Sequence, residues 1–133
     1  MILLDTHIWH WWTNQIPDRL PASLIDRIEQ AESVAISAIS VFEMAWLVRH
    51  KRIDLGMAFH QWLQLVRAQS DLDILSVNAE IAEIAVALPE HHKDPQDRLI
   101  IASALHHNLS LVSFDQAFER YEALAGRLIN RKA

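Results

Sequence analysis

Residues 2–7 read Ile2-Leu3-Leu4-Asp5-Thr6-His7, and this stretch sets the pattern for the whole chain. Its short apolar run ends at an acid, and helical spacing begins at once and continues to Trp12 without a turn glycine. A brief apolar run of this kind is typical of a buried strand. The stretch therefore predicts a strand that carries Asp5 at its carboxyl end and leads directly into a helix.

The same alternation of short apolar runs and amphipathic segments continues along the chain. Further strands are predicted at residues 34–36, 73–77, 109–113 and 127–129. Further helices are predicted at residues 22–31, 40–52, 57–68, 79–88, 94–107 and 116–121. Short strands that alternate with helices predict an α/β fold, with a short parallel sheet of four to five strands flanked by helices. We expect a single domain over residues 1–133.

Composition narrows the functional classes. The chain has no cysteine, so disulfides are excluded and metal ligands must be oxygen or imidazole. It lacks an apolar run of 18 residues, which predicts a soluble, unprocessed protein without a membrane segment, and the lack of cysteine is compatible with the cytoplasmic location that we expect. The net charge of -5 argues against a broad basic face for nucleic acid. Nucleic-acid binding would be compatible with that charge only if several acids gather at one site to hold divalent cations and the remaining basic residues are clustered.

The helix after residue 93 has the clearest boundaries. Asp94 suits the N-cap, Pro95 the first helical position and Asp97 the third. Asn108 can adopt the left-handed conformation that closes a helix. We therefore interpret Asp94 mainly as a cap with a supporting role in any site.

Acidic side chains follow two of the predicted strands. Asp5 and Asp115 fall at carboxyl ends, where ligands bind in open parallel sheets. Together with Glu43 and Asp97 they would repel one another unless hard divalent cations neutralise them, and Mg²⁺ or Mn²⁺ prefers such oxygens. Phosphodiester hydrolysis is the natural reaction of such a site. The chemistry points to a metal-dependent hydrolase.

Each acid also has a purely structural interpretation. Asp5 can cap the following helix, and Ser40 with Glu43 has the spacing of a capping box. Asp97 can favour the helix dipole, while Asp115 can belong to an ordinary turn. Taken one at a time, these alternatives remain open.

Four motifs in order resemble PIN-domain toxins of the VapC type. The resemblance spans residues 2 to about 118 and rests on four segments, Leu3-Leu4-Asp5-Thr6-His7, Ser37-Ala38-Ile39-Ser40-Val41-Phe42-Glu43, Asp94-Pro95-Gln96-Asp97-Arg98-Leu99-Ile100-Ile101-Ala102 and Leu111-Val112-Ser113-Phe114-Asp115. It implies a Rossmann-like sheet and an endoribonuclease that needs Mg²⁺ or Mn²⁺. It also implies a homodimer, an RNA substrate and inhibition by a cognate antitoxin.

The same resemblance implies roles for particular residues. Asp5 and Asp97 would be the principal metal ligands, and Glu43 and Asp115 would complete the acidic quartet. The hydroxyl groups that would orient carboxylates or metal-bound water are those of Thr6 and Ser113.

Arginine, histidine and tryptophan side chains extend these expectations. Arg98 follows Asp97 at a helix N-terminus, so it is expected either to contact RNA phosphate or to pair with one of the acids. Zinc is disfavoured because the adjacent pairs at residues 91–92 and 106–107 cannot both face one ion from a regular helix. Solvated surface positions explain these histidines better. Trp46 and Trp62 are expected in the core, and some of Trp9, Trp11 and Trp12 at a partner interface.

Two other functions compete with the nuclease. An aspartate-based phosphotransferase would use Asp5 as phosphoryl acceptor, but haloacid-dehalogenase-like enzymes place a second Asp where this chain has His7. A non-catalytic interaction module would use the aromatic helix to bind a protein, with the acids serving only as caps.

Overall fold

The computed structural model describes residues 1–132 as an α/β arrangement around one five-stranded sheet. The strands are β1 (Ile2–Leu4), β2 (Val34–Ser37), β3 (Leu72–Leu75), β4 (Ser110–Val112) and β5 (Leu128–Ile129). The helices are α1 (Thr6–Thr13), α2 (Ala22–Gln30), α3 (Ala38–Arg49), α4 (Phe59–Gln69), α5 (Ala79–Ala87) and α6 (Pro95–His106). Two 3-10 turns, Gln116–Arg120 and Glu122–Leu124, join β4 to β5.

All strand pairs are parallel, in the order β3-β2-β1-β4-β5. The central strand β1 has Leu4 in register with Ile36 on one side and with Val112 on the other. Chain order therefore reverses direction between β1 and β4, which makes this position the topological switch point of the sheet. The predicted fold class is confirmed.

The sheet separates two apolar layers. Successive side chains of a strand point to opposite faces, so Leu4 packs with Trp9, Met44 and Trp62, whereas Leu3 packs with the layer beneath α6. Both leucines are fully buried. Because both faces are covered, the polar residues that follow the strands meet at the carboxyl edge rather than on a face.

Several element boundaries differ from those predicted. Helix α3 begins at Ala38, and its N-cap is Ser37, whose hydroxyl accepts a hydrogen bond from the amide of Ile39. The expected start at Ser40 was therefore wrong, because a competent cap lies directly at the end of β2. Ser40 is buried inside the helix, so it forms no capping box with Glu43. The third strand lies at residues 72–75 rather than 73–77.

The helix at Asp94 has the predicted boundaries. Its Oδ1 accepts from the amide of Gln96, Pro95 is the first helical residue, and Asn108 has a φ of 57° after the last turn. These features fix where Asp97 lies relative to the sheet edge.

The tryptophans divide differently from the expectation. Trp62 is buried as predicted, but Trp46 is 53% exposed because it lies two positions from the buried Met44, on the opposite side of α3. Trp9, which was grouped with the partner-facing residues, is fully buried. Trp11 and Trp12 are half-buried at the edge of the core.

Candidate active site

Asp5 lies at the carboxyl end of the central strand and is buried, with 7% of its surface exposed. Its Oδ1 accepts from the amide of Ile8, so it does cap α1 as the structural interpretation required. Burial raises the pKa of Asp5 to about 6, against a lowering by the hydrogen bond from Ser113. A buried charge is unfavourable without compensation. Helix capping alone therefore does not explain why a carboxylate lies at this buried position.

Asp97 lies in the first turn of α6 and faces the same edge. Burial raises its pKa to about 7, and the negative charges of Asp94, Glu43 and Asp5 act in the same direction, whereas His92 lowers it. Glu43 also raises the pKa of Asp5, so the carboxylates of Asp5, Glu43 and Asp97 lie near one another. Three acids from β1, α3 and α6 are therefore brought together.

Glu43 enters this group from α3. Its Oε1 is buried, and no hydrogen-bond partner for that atom lies among residues 1–132. With Ser37 as the helix cap, the capping-box role considered for Glu43 is removed. An orphaned carboxylate oxygen among other acids is the kind of atom that a bound cation would satisfy.

Asp115 follows β4 and reaches the group through a histidine. Its Oδ1 accepts from the amide of Ala117, which makes it the cap of the following 3-10 turn. Its Oδ2 lies 3.0 Å from Nε2 of His92, and the same nitrogen lies 2.9 Å from Oδ2 of Asp97. One nitrogen of His92 and one carboxylate oxygen each of Asp97 and Asp115 all lie within 4.8 Å of one another.

His92 was not predicted as a site residue. The expectation of a solvated surface histidine was wrong, because its side chain is only 19% exposed and lies between two carboxylates. The loop between α5 and α6 gives no periodic signal for this placement. The only sequence clue is its position five residues before Asp97.

The supporting hydroxyl groups lie around the acids. The Thr6 hydroxyl donates to Oγ of Ser40 at 2.9 Å, which ties the start of α1 to the first turn of α3. Ser113 is fully buried beside Asp5, and its hydroxyl also accepts from the amide of Asp115. Asp94 acts as the cap of α6, as interpreted from the sequence.

Arg98 binds backbone carbonyl groups rather than one of the acids. Its two terminal nitrogens donate to five carbonyl oxygens, at Ala85, Val86, Leu88, Pro89 and His92. Within residues 1–132 it forms no ion pair with an acid. The guanidinium thus closes the C-terminal end of α5, where several carbonyls lack helical partners.

The donor set fits a hard divalent cation. It offers carboxylate oxygens from four parts of the fold, one of them unpartnered within residues 1–132. The pKa values of Asp5 and Asp97 are raised, and a bound cation would lower them. A cap-only interpretation accounts for Asp5, Asp94 and Asp115 but leaves the burial of Asp97 and Glu43 unexplained.

Comparison with known sequences agrees with this arrangement. The PIN domain family profile matches residues 2–124. Ribonuclease VapC22 of Mycobacterium tuberculosis is 39% identical to the chain over 116 residues, which are 86% of this chain and 87% of that protein.

Several solved structures share the fold. VapBC2 from Rickettsia felis, bound to a promoter DNA fragment, has a TM-score of 0.73 at 22% identity and covers 98% of both chains. A toxin–antitoxin complex from Klebsiella pneumoniae has a TM-score of 0.68 at 24% identity, covering 98% of this chain and 97% of that one. VapC20 of Mycobacterium tuberculosis, a sarcin-ricin loop cleaving toxin, has a TM-score of 0.67 at 19% identity and covers 96% of both. At these identities the likeness concerns the fold.

Proposed function

The chain belongs to the PIN domain family, and from that premise we propose that it is a metal-dependent endoribonuclease, the toxin of a type II toxin–antitoxin pair. The family prediction from the ordered motifs is confirmed. The observation that carries the proposal is the convergence of Asp5, Glu43, Asp97 and Asp115 at the switch point of the sheet. The 39% identical relative bears the name of a ribonuclease, which supports the same reaction.

Mg²⁺ or Mn²⁺ is the proposed cofactor. Asp5 and Asp97 would be its principal ligands, and Glu43 and Asp115 would complete the site. A divalent cation bound by such a site lowers the pKa of an attacking water and stabilises negative charge on the oxygen that leaves phosphorus. Water replaces the RNA oxygen at phosphorus, so the products are two shorter RNA strands.

The chain's own groups would position the reactants. Oε1 of Glu43, which has no partner among residues 1–132, can accept a hydrogen bond from the attacking water. The hydrogen bond from Ser113 stabilises the ionised carboxylate of Asp5, because it lowers the pKa of that group. Thr6 and Ser40 hold α1 against α3, which keeps Asp5 and Glu43 on neighbouring elements at a fixed distance. Caps and hydroxyls thus preorganise the acids before substrate arrives.

An antitoxin is the proposed protein partner. A cavity of about 630 Å³ opens between α1, α2 and α4, and its lining includes Trp11, Trp12, Leu20, Trp62 and Leu65. Large aromatics and aliphatics of this kind are favoured at protein interfaces. This position supports the expectation that Trp11 and Trp12 face a partner. The toxin–antitoxin complex that shares the fold supports the assignment of this chain as a toxin.

A homodimer is also proposed, with an exposed apolar surface as its basis. Phe42 and Trp46 on α3 are 54% and 53% exposed, and their rings stack on each other with centroids 6.1 Å apart. Exposed apolar groups of this size mark interaction sites when they cluster.

No helix within residues 1–132 has the length and apolarity needed to cross a membrane. We further propose a cytoplasmic location, where RNA is available.

The test is RNA cleavage by the purified chain. We expect a broad pool of structured transcripts to be cut with Mg²⁺ or Mn²⁺ and to remain intact with EDTA. In cells, expression without an antitoxin should arrest growth, and Asp97→Asn should relieve the arrest. Intact RNA in every metal condition would overturn the proposed function.

A further inference from the structure

His92 connects two acids that come from different elements of the fold. Its Nε2 lies 2.9 Å from Oδ2 of Asp97, in the first turn of α6, and 3.0 Å from Oδ2 of Asp115, after β4. We propose that His92 is a positioning residue that holds these two carboxylates at the spacing needed to bind a divalent cation. This inference rests on the metal-dependent site of the proposed function.

The backbone and the imidazole of His92 are each held by a buried aromatic residue. The backbone amide of His92 donates to the hydroxyl of Tyr121 at 2.9 Å, and Tyr121 is itself buried. The ring meets the fully buried Phe118 edge-on, with centroids 6.0 Å apart. These contacts join the loop before α6 to the 3-10 turns after β4. The ring orientation is therefore set by packing and does not depend on the carboxylates alone.

The second ring nitrogen decides which role His92 can have. The backbone amide of Asp94 donates to Nδ1 at 3.2 Å, so Nδ1 is an acceptor and Nε2 carries the hydrogen. A metal-ligating histidine has the opposite arrangement, with its outer nitrogen as a donor. In this orientation Nε2–H is a hydrogen-bond donor directed at both carboxylates, and His92 is not a ligand.

The carboxylates keep their capacity to bind a cation. Each carboxylate oxygen has two lone pairs, so a hydrogen bond from His92 to Oδ2 leaves a further lone pair on that atom. The amide of Ala117 binds Oδ1 of Asp115 and His92 binds Oδ2, so both oxygens are held in place and each keeps a lone pair. Outer hydrogen-bond partners that orient ligating carboxylates typically account for 10- to 100-fold in metal affinity.

The preceding residue provides a matched control. His91 is exposed, and its ring packs edge-on against Tyr121 at 4.9 Å. Among residues 1–132 it makes no hydrogen bond to either carboxylate. A substitution at His91 alters the same loop and a different contact with the same tyrosine, without touching the acids.

The experiment measures binding of Mn²⁺ alone to the full chain, by calorimetry and by electron paramagnetic resonance. We expect His92→Leu to weaken Mn²⁺ binding by roughly 10- to 100-fold. His92→Gln should retain most of the affinity, because its amide offers N–H donors near the position of Nε2. His91→Leu should bind Mn²⁺ like the wild type. The spectrum of the wild-type complex should lack the strong ¹⁴N coupling of a directly bound nitrogen.

Four results would overturn the proposal. If a folded His92→Leu variant binds Mn²⁺ more tightly than the wild type, the histidine hinders ion binding. If it binds Mn²⁺ equally well, the histidine has no effect on ion binding. Equal loss in His92→Gln and His92→Leu would remove the role of the hydrogen-bond donor, and strong ¹⁴N coupling in the wild type would make His92 a ligand. If His92→Leu fails to fold, the wild-type spectrum and His92→Gln still decide. Absence of Mn²⁺ binding by the wild type would instead refute the proposed function, and the positioning role with it.

Discussion

The backbone amide of Asp5 donates a hydrogen bond to the carbonyl oxygen of Val112, with 3.1 Å between nitrogen and oxygen. This bond extends the ladder between β1 and β4 beyond the last residue of β1. The backbone of Asp5 is therefore fixed by the sheet, and its carboxyl is presented at the switch point. A substitution that removes the carboxyl group can therefore change the charge of the site without breaking this backbone hydrogen bond.

The raised pKa of Asp5 predicts that stability without metal falls with increasing pH. Burial moves this pKa from 3.8 to about 6, so the folded protein binds a proton at Asp5 more tightly than the unfolded chain. The stabilisation is complete below 3.8 and is lost as pH rises through 6. In EDTA, wild type should lose about 2 kcal/mol more unfolding free energy than Asp5→Asn between pH 4.5 and 7.5.

Urea unfolding at the two pH values measures this difference. The asparagine keeps an oxygen that can accept from the amide of Ile8, so the helix cap is preserved. Asp26→Asn, at an exposed position on α2, is the matched control and should follow the wild type. Identical pH dependence for wild type and Asp5→Asn would contradict the account of Asp5.

Cation binding should stabilise the fold in a pH-dependent manner. Mn²⁺ at about 100 times its dissociation constant should add about 2.7 kcal/mol by mass action. The gain should be larger at pH 8 than at pH 6, because the pKa of Asp97 is raised to about 7 and the ion must displace its proton below that value. Thermal unfolding with and without Mn²⁺ measures the effect. A full stabilisation of Asp97→Asn by Mn²⁺ would show that the ion binds elsewhere.

Arg98 should contribute to stability and not to RNA affinity. Arg98→Ala would leave carbonyls at the end of α5 without donors, and charge-assisted hydrogen bonds of this kind support a loss of about 3 kcal/mol. Arg98→Lys should restore little, because an ammonium cannot reproduce the planar fork of donors. Denaturant unfolding gives the stability, and RNA binding at fixed folded concentration gives the affinity. Normal stability with weak RNA binding would instead favour the phosphate contact considered from the sequence.

The exposed tryptophan of α3 should control self-association. Trp46→Glu places a charge in the proposed dimer surface, so the dimer should dissociate while the fold persists, since Trp46 lies outside the buried core. Sedimentation equilibrium measures the assembly. Met57→Glu is the control, because Met57 is 42% exposed but precedes α4 rather than belonging to α3. A dimer that survives Trp46→Glu would assign the interface to another surface.

Local chemistry was sufficient to predict the parts of the fold that depend on near neighbours. Asp94, Pro95 and Asn108 mark the ends of α6 through caps and backbone conformation, and both ends are where the pattern placed them. The start of α3 was wrong because two serines compete as caps within four residues. The end of β2 at Ser37 decides between them, and that depends on pairing with β1 and β3.

The candidate site was only partly accessible for the same reason. Asp5 and Asp115 could be assigned to one edge because both follow strands of a parallel sheet. His92 reaches Asp115 across 23 positions of sequence, and no local pattern encodes that contact. The carbonyl contacts of Arg98 could not be predicted because these carbonyls lie at the end of α5 and come within reach of Arg98 only when α5 packs against α6. Contacts of this kind arise from tertiary packing.

The most direct measurement is single-turnover RNA cleavage with saturating Mn²⁺ by wild type, Asp5→Asn and the control Asp26→Asn, with folding of each checked by its unfolding curve. We predict that wild type and Asp26→Asn cleave at similar rates. Asp5→Asn should remain folded and lose more than the roughly 100-fold that removal of an outer hydrogen-bond partner costs. Cleavage by folded Asp5→Asn at the wild-type rate would contradict a metal-dependent site at this sheet edge.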